Sequence, residues 1–138
     1  MAGQGKYFAH KVRTTDGEFD SKREWERFQE LKLELKAGYI QCLHRQVSFE
    51  ILPQMLFEVR KQLKTKVKIE YRVDEKAKHY TPDFVYYDTQ SNVYVMEEVK
   101  SFITAKARDY NLRRHLIKLI IKKHNKNRKT QWVFKEIK

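Results

Sequence analysis

Asp83, Glu98 and Lys100 are the residues of this chain whose types and spacing suit chemistry. Asp83 sits in Tyr80-Thr81-Pro82-Asp83-Phe84, and the other two in Glu97-Glu98-Val99-Lys100. A strand sets residues i and i+2 on one face, about 6–7 Å apart. Glu98 and Lys100 would then look the same way, and a hairpin would bring Asp83 beside them. Two carboxylates and an ammonium so placed suit hydrolysis of a phosphodiester. That reaction needs a divalent cation at the scissile phosphate, an activated water and relief of developing charge. Mg²⁺ takes oxygen ligands, so carboxylates are the right donors. A nearby lysine orients or deprotonates the water and offsets phosphate charge.

The acid-x-Lys tripeptide alone carries no weight, because it occurs six times, at Asp20, Glu30, Glu34, Asp74, Glu98 and Glu136. Only the Glu98 copy falls in a strongly patterned strand, 15 residues after a Pro-Asp with one turn between. The competing reading makes Glu98 and Lys100 a surface ion pair and Pro82-Asp83 a strand-start turn. Glu97 adds a register question: a slip of one residue would put it in place of Glu98. Glu24 is a further candidate, since it opens a helix in line with that helix's apolar stripe. An unpaired acid pointing inward is costly, and a cation would explain it. Ser21-x-x-Glu24 is also a capping box, and the two roles are compatible.

The elements that must position these groups follow from patterning. Residues 1–10 read as a flexible basic N-terminal arm, and 11–138 as a single domain. Val12 to Phe19 carries the Asp16-Gly17 turn signal of a short hairpin. Asp20 to Lys36 reads as a helix closed by Gly38, with Glu24, Phe28, Leu31 and Leu35 on one stripe. Val47 to Leu52 and Val67 to Val73 read as strands, and residues 54–65 are ambiguous. Thr81 to Tyr87 and Val93 to Lys100 flank the polar loop Asp88–Asn92 as an antiparallel hairpin. Thr104 to His124 is the longest predicted helix, with Leu112, Leu116, Leu119 and Ile120 as its apolar face. Gln131 to Ile137 ends the chain as a strand. The order is that of a mixed α/β domain.

Charge narrows the partner. Thirty Lys and Arg against 18 Asp and Glu give +12 and a pI near 9.8, which attracts a polyanion, most often nucleic acid, by counterion release. Arg113, Arg114, Lys118 and Lys122 on the last helix are the candidate phosphate contacts; a solvated helix face is the alternative. Cys42 is the only cysteine, so no internal disulfide or Cys-based zinc site is expected. The N-terminus lacks a signal-like apolar stretch, and no run is long enough for a membrane span. A cytoplasmic setting without membrane contact is expected. The five histidines show no metal-ligand spacing.

Together these motifs resemble the PD-(D/E)XK nuclease superfamily, and within it a family of small phage-encoded proteins. The shared pattern runs Asp16-Gly17…Phe19-Asp20-Ser21-Lys22-Arg23-Glu24, Leu43…Gln46…Phe49-Glu50, Asp83-Phe84-Val85-Tyr86 and Glu97-Glu98-Val99-Lys100, followed by a basic helix with Tyr110 and Leu112. It covers roughly residues 6–137. The resemblance implies a restriction-endonuclease-like αβββαβ core with a central mixed sheet flanked by helices. It implies Mg²⁺, with Mn²⁺ as substitute, held by Asp83, Glu98 and the Val99 carbonyl, Glu24 completing the site and Lys100 as catalytic lysine. Gln46 would be an active-site neighbour. The implied activity is a metal-dependent DNA endonuclease, structure-specific for branched DNA such as Holliday junctions in phage recombination or replication, working as a homodimer in the host cytoplasm. Alternatives are a nickase, an exonuclease, a transposase-like end-cutting subunit, or a non-catalytic nucleic-acid-binding module. Residues 54–80 are longer than the pattern needs, which leaves room for an extra strand or loop.

Overall fold

The computed structural model describes residues 11–100 and 109–138. The chain divides into two compact units, Met1–Val47 with Thr81–Lys138, and Ser48–Tyr80. The predicted arm (residues 1–10) and the start of the last predicted helix (104–108) lie outside the described residues.

The first unit opens with a hairpin, β1 (Val12–Thr14) and β2 (Gly17–Phe19). Gly17 sits at φ 117°, where a side chain would be strained and would also meet Arg45 Nη1 at 3.2 Å. Helix α1 (Lys22–Ala37) follows. Ser21 is its N-cap, with Oγ accepting from the Glu24 backbone N–H at 3.1 Å. Gly38 ends it in the left-handed region at φ 85°, its N–H donating back to the last turn. Nothing stands within 4 Å of a Cβ placed there, so Gly38→Ala is expected to cost only the backbone penalty, about 1–2 kcal/mol. A denaturant titration against wild type measures it.

Four strands build the main sheet: β3 (Ile40–Arg45), then β8 (Phe84–Asp88), β9 (Val93–Val99) and β10 (Trp132–Ile137), in spatial order β10-β9-β8-β3. β3, β8 and β9 run antiparallel to their neighbours, and β10 is parallel to β9. A parallel pair needs a crossover, and helix α2 (Tyr110–Asn127) lies in that connection. One sheet face carries Phe84, Tyr86, Val95 and Val99, packed with Phe19, Leu31 and Ile40. On the other face alternation puts Val85, Met96 and Glu98. α2 covers that second face: the Tyr110 hydroxyl reaches Glu136, the β10 residue level with Glu98. This unit is mixed α/β, as expected, with helices on both sides of its sheet.

The second unit pairs β4 (Phe49–Leu52) with β7 (Lys78–Tyr80), and β5 (Met55–Gln62) with β6 (Val67–Glu75), both antiparallel. It is the segment that the sequence marked as longer than the pattern requires. Among the described residues no helix is long and apolar enough to cross a membrane.

Two sequence expectations are corrected. β3 carried no strand signal, because Ile-Gln-Cys-Leu-His-Arg does not alternate and a bulge between Gln41 and His44, with Cys42 at φ 55°, breaks its register. The buried stripe of α2 is Tyr110, Ile117 and Ile121, whereas Leu112, Leu119 and Ile120 are exposed. Leucine content had suggested the wrong face.

Candidate active site

The β8–β9 hairpin sets the two central carboxyls together. Phe84 pairs with Glu97, so one step on, Asp83 stands level with Glu98. Asp83 lies just before β8, where Pro82 removes a backbone donor. Its Oδ2 instead accepts from the Val99 N–H at 2.8 Å. Its carboxyl is also hydrogen-bonded to that of Glu98, which is 8 % exposed. Burial first, and then the bond and charge of Glu98, push Asp83 up to about 9, against the pull of the Val99 N–H. Burial and the neighbouring carboxyl thus favour a proton on Asp83. A surface ion pair of Glu98 with Lys100 does not describe this geometry, because Glu98 is buried against Asp83.

Glu24 comes to the same place from the first turn of α1. It is 2 % exposed. Its Oε2 accepts from the Asp20 N–H at 3.2 Å, so the capping role is real but reaches one residue beyond the N-cap. Its Oε1 has no hydrogen-bond partner and lies 3.9 Å from Arg45 Nη2. Burial, with the charges of Asp83 and Asp20, raises Glu24 to about 7; the Asp20 N–H and Arg45 offset part of this. A buried carboxylate oxygen without a donor is a costly arrangement.

Glu97 faces the other way. It is fully buried, and Arg27 of α1 grips it bidentately, Nε to Oε2 and Nη2 to Oε1, both at 2.8 Å. The Tyr86 hydroxyl donates to Oε1 at 2.7 Å. This clamp leaves Glu98 beside Asp83, which answers the register question.

Lys100 is half-buried just past β9, its N–H donating to the Ile137 carbonyl at 2.6 Å. Alternation keeps it on the Glu98 face. Its charge acts on Glu136, which also accepts from the Tyr110 hydroxyl at 2.7 Å and from Arg114 Nη1 at 3.2 Å. Burial opposes ionisation of Glu136, but these bonds and charges hold it below the usual carboxylate range. The four candidate phosphate contacts therefore separate. Arg114 is bound to Glu136, and Arg113 pairs with Asp109 at 2.8 Å. Lys118 lies over the Phe134 ring, and Lys122 is exposed. Gln46 meets Asp83 only through the backbone, its N–H 3.4 Å from the Asp83 carbonyl, and stands at φ 55°.

Among the described residues no three His, Cys, Asp or Glu side chains form a ready cage for one cation. The donor types nonetheless fit a hard divalent ion: they are buried carboxyls, Glu24 has an orphaned oxygen, and burial raises both Asp83 and Glu24.

A family model matches residues 4–138, and so spans both units. The chain belongs to DUF1064, a family described as a protein of unknown function. Neither the curated proteins nor the solved structures give a match.

Around the expected residues, this DUF1064 chain places three that the sequence reading gave no role. Asp20 donates its backbone N–H to the Glu24 carboxylate and raises both Glu24 and Asp83 by its charge. Arg45 lies over the Phe19 ring at 3.7 Å, donates to the Glu18 carbonyl at 2.7 Å and faces Glu24. Glu136, level with Glu98, accepts from Tyr110 and Arg114 and feels the charge of Lys100. Asp20 and Tyr110 stood in the quoted pattern. Arg45 and Glu136 gave no local signal, because their roles arise only from strand pairing.

Proposed function

We propose that this chain is a metal-dependent DNA endonuclease of the PD-(D/E)XK type. The observation that carries the reading is the buried Asp83–Glu98 carboxyl pair, with the buried Glu24 near enough for its charge and that of Asp83 to act on each other. The order of the main unit adds support: helix, three strands, helix, strand, around a mixed sheet, is the order that a restriction-endonuclease-like αβββαβ core would require. The carboxyls and the Val99 carbonyl would hold Mg²⁺ or Mn²⁺, which when bound supplies charge neutralisation at the scissile phosphate and acidifies water. Asp83 and Glu98 would be the ligands from the β8–β9 hairpin, and a bound cation would offset the like-charge interaction between them. Glu24 brings its orphaned oxygen. Lys100 orients or deprotonates the attacking water from the Glu98 face, and Glu136 keeps the ammonium near the site. Arg45 limits the charge that Glu24 adds. Within this class we favour branched DNA such as Holliday junctions, cut by a homodimer.

The test is cleavage of labelled linear, nicked and four-way-junction DNA with Mg²⁺, Mn²⁺ or EDTA. Lys100→Ala is expected to lose roughly 100- to 10,000-fold in rate, the contribution of a positioned proton-transfer group. Cutting by wild type that Lys100→Ala retains in full would remove Lys100 from the mechanism. Binding without any cutting would leave the non-catalytic binding module.

A further inference from the structure

The β5–β6 hairpin of the second unit breaks a rule that ordinary solvated hairpins keep. Residues 60–68 hold five cations, Arg60, Lys61, Lys64, Lys66 and Lys68, and no acid. All five are exposed. Lys61 and Lys68 stand directly opposite each other in the ladder, and like charges so placed destabilise a strand pair. Glu70 alone answers three cations, Lys61 at 3.2 Å, Lys68 at 3.3 Å and Arg72 at 3.7 Å. Lys64 and Lys66, in the turn, join no ion pair among the described residues. Arg60 is answered by Glu58 at 3.2 Å, so the surplus rests on Lys64 and Lys66 at the tip and on the two lysines that share Glu70, and such a surplus at the end of a ribbon calls for a polyanion.

The ribbon's shape adds to this. The register puts Leu56, Ile69, Tyr71 and Val73 on one face, and they are about half exposed or more, Tyr71 at 66 %. A two-stranded ribbon fits the major groove of duplex DNA, about 12 Å wide. Strands of eight and nine residues reach roughly 25 Å, enough to cross it. We infer that the β5–β6 hairpin is an arm that lies on duplex DNA, with its lysine-rich tip on the phosphates. This rests on the nuclease reading and names the form of nucleic acid it grips: double-stranded arms, held through the backbone.

The experiment is fluorescence anisotropy of a labelled duplex in EDTA across a KCl series. It compares the full-length wild type, Lys64→Gln/Lys66→Gln and a charge-matched control, Lys36→Gln/Lys129→Gln. Each lost phosphate contact flattens the dependence of log K on log salt by about one. The tip pair is expected to flatten it by about two and to weaken binding at every salt, with the control changing it by less than one. A tip pair that matches wild type, or that matches the control, overturns the arm and leaves the nuclease reading standing. Wild type that does not bind the duplex in EDTA overturns the arm, and the nuclease reading falls with it only where linear, nicked and junction DNA are all left uncut with Mg²⁺ or Mn²⁺.

Discussion

Asp83→Asn is expected to end metal-dependent cleavage and, at the same time, to stabilise the metal-free protein. The first effect follows from the ligand role proposed for Asp83: a loss of about a thousandfold or more in kcat/KM, the scale of one preorganised electrostatic group. The second follows from the frustration of the site. Asn keeps an oxygen to accept from the Val99 N–H and removes the like-charge conflict with Glu98. A gain of about 1–3 kcal/mol above neutral pH is expected, the usual cost of a buried polar group poorly served.

The sign of the pH dependence separates this account from a simple structural one. Asp83 is raised from 3.8 to about 9, by burial and by Glu98, and Glu24 from 4.5 to about 7. The folded state therefore binds more protons than the unfolded chain across this window. Their favourable contribution is complete below about pH 4 and is lost as pH rises through 7 and then 9. Metal-free wild type should weaken steadily over that range, and Asp83→Asn should weaken less. Added Mn²⁺ should reverse the trend in wild type, since a cation replaces the protons and binds more tightly as pH rises. At a hundred times its Kd it would add about 2.7 kcal/mol, and in Asp83→Asn little. Thermal melts at pH 5, 7 and 9, with and without Mn²⁺, read all of this. Equal melting of the two proteins at pH 9 would remove the carboxyl conflict.

Much of this site was legible before any fold was known, for reasons specific to its residues. The Asp83 and Glu98 strands are short, rich in Val and Tyr and separated by one polar loop, so local patterning fixes their pairing. Ser21 and Gly38 delimit α1 by chemistry that acts within a few residues. Arg45 and Glu136 were out of reach because each works across a strand pair whose partners lie far apart in sequence. β3 was invisible because its bulge removes the alternation that reveals strands. On α2 the exposed Leu112 and Leu119 share a stripe with Ile120 that is as apolar as the buried Ile117 and Ile121, and Arg114 looked like part of a solvent-facing row. Its guanidinium instead belongs to Glu136, a pairing set by β10 lying parallel beside β9.

The clamp that holds β9 in register carries the largest stability effect expected for a single substitution in this chain. Arg27 is 15 % exposed and both oxygens of Glu97 are taken by it, with Tyr86 adding a third bond. Glu97 itself raises Arg27 further above its ordinary value. Arg27→Ala would leave a buried carboxylate with one hydroxyl donor, a loss of about 3–5 kcal/mol. Arg27→Met with Glu97→Leu should recover most of that, because breaking a buried pair costs more than replacing it by apolar side chains. The functional consequence lies one residue away. Strand side chains alternate, so the hold of α1 on Glu97 is what turns Glu98 toward Asp83. The double variant therefore separates stability from geometry: restored folding with restored cutting would show that the apolar pair also fixes the register, and restored folding with lost cutting that the ion pair alone does. Urea midpoints give the first reading and junction cleavage the second. Arg27→Ala within about 1 kcal/mol of wild type would mean that neither the burial of Glu97 nor the register of β9 depends on this clamp.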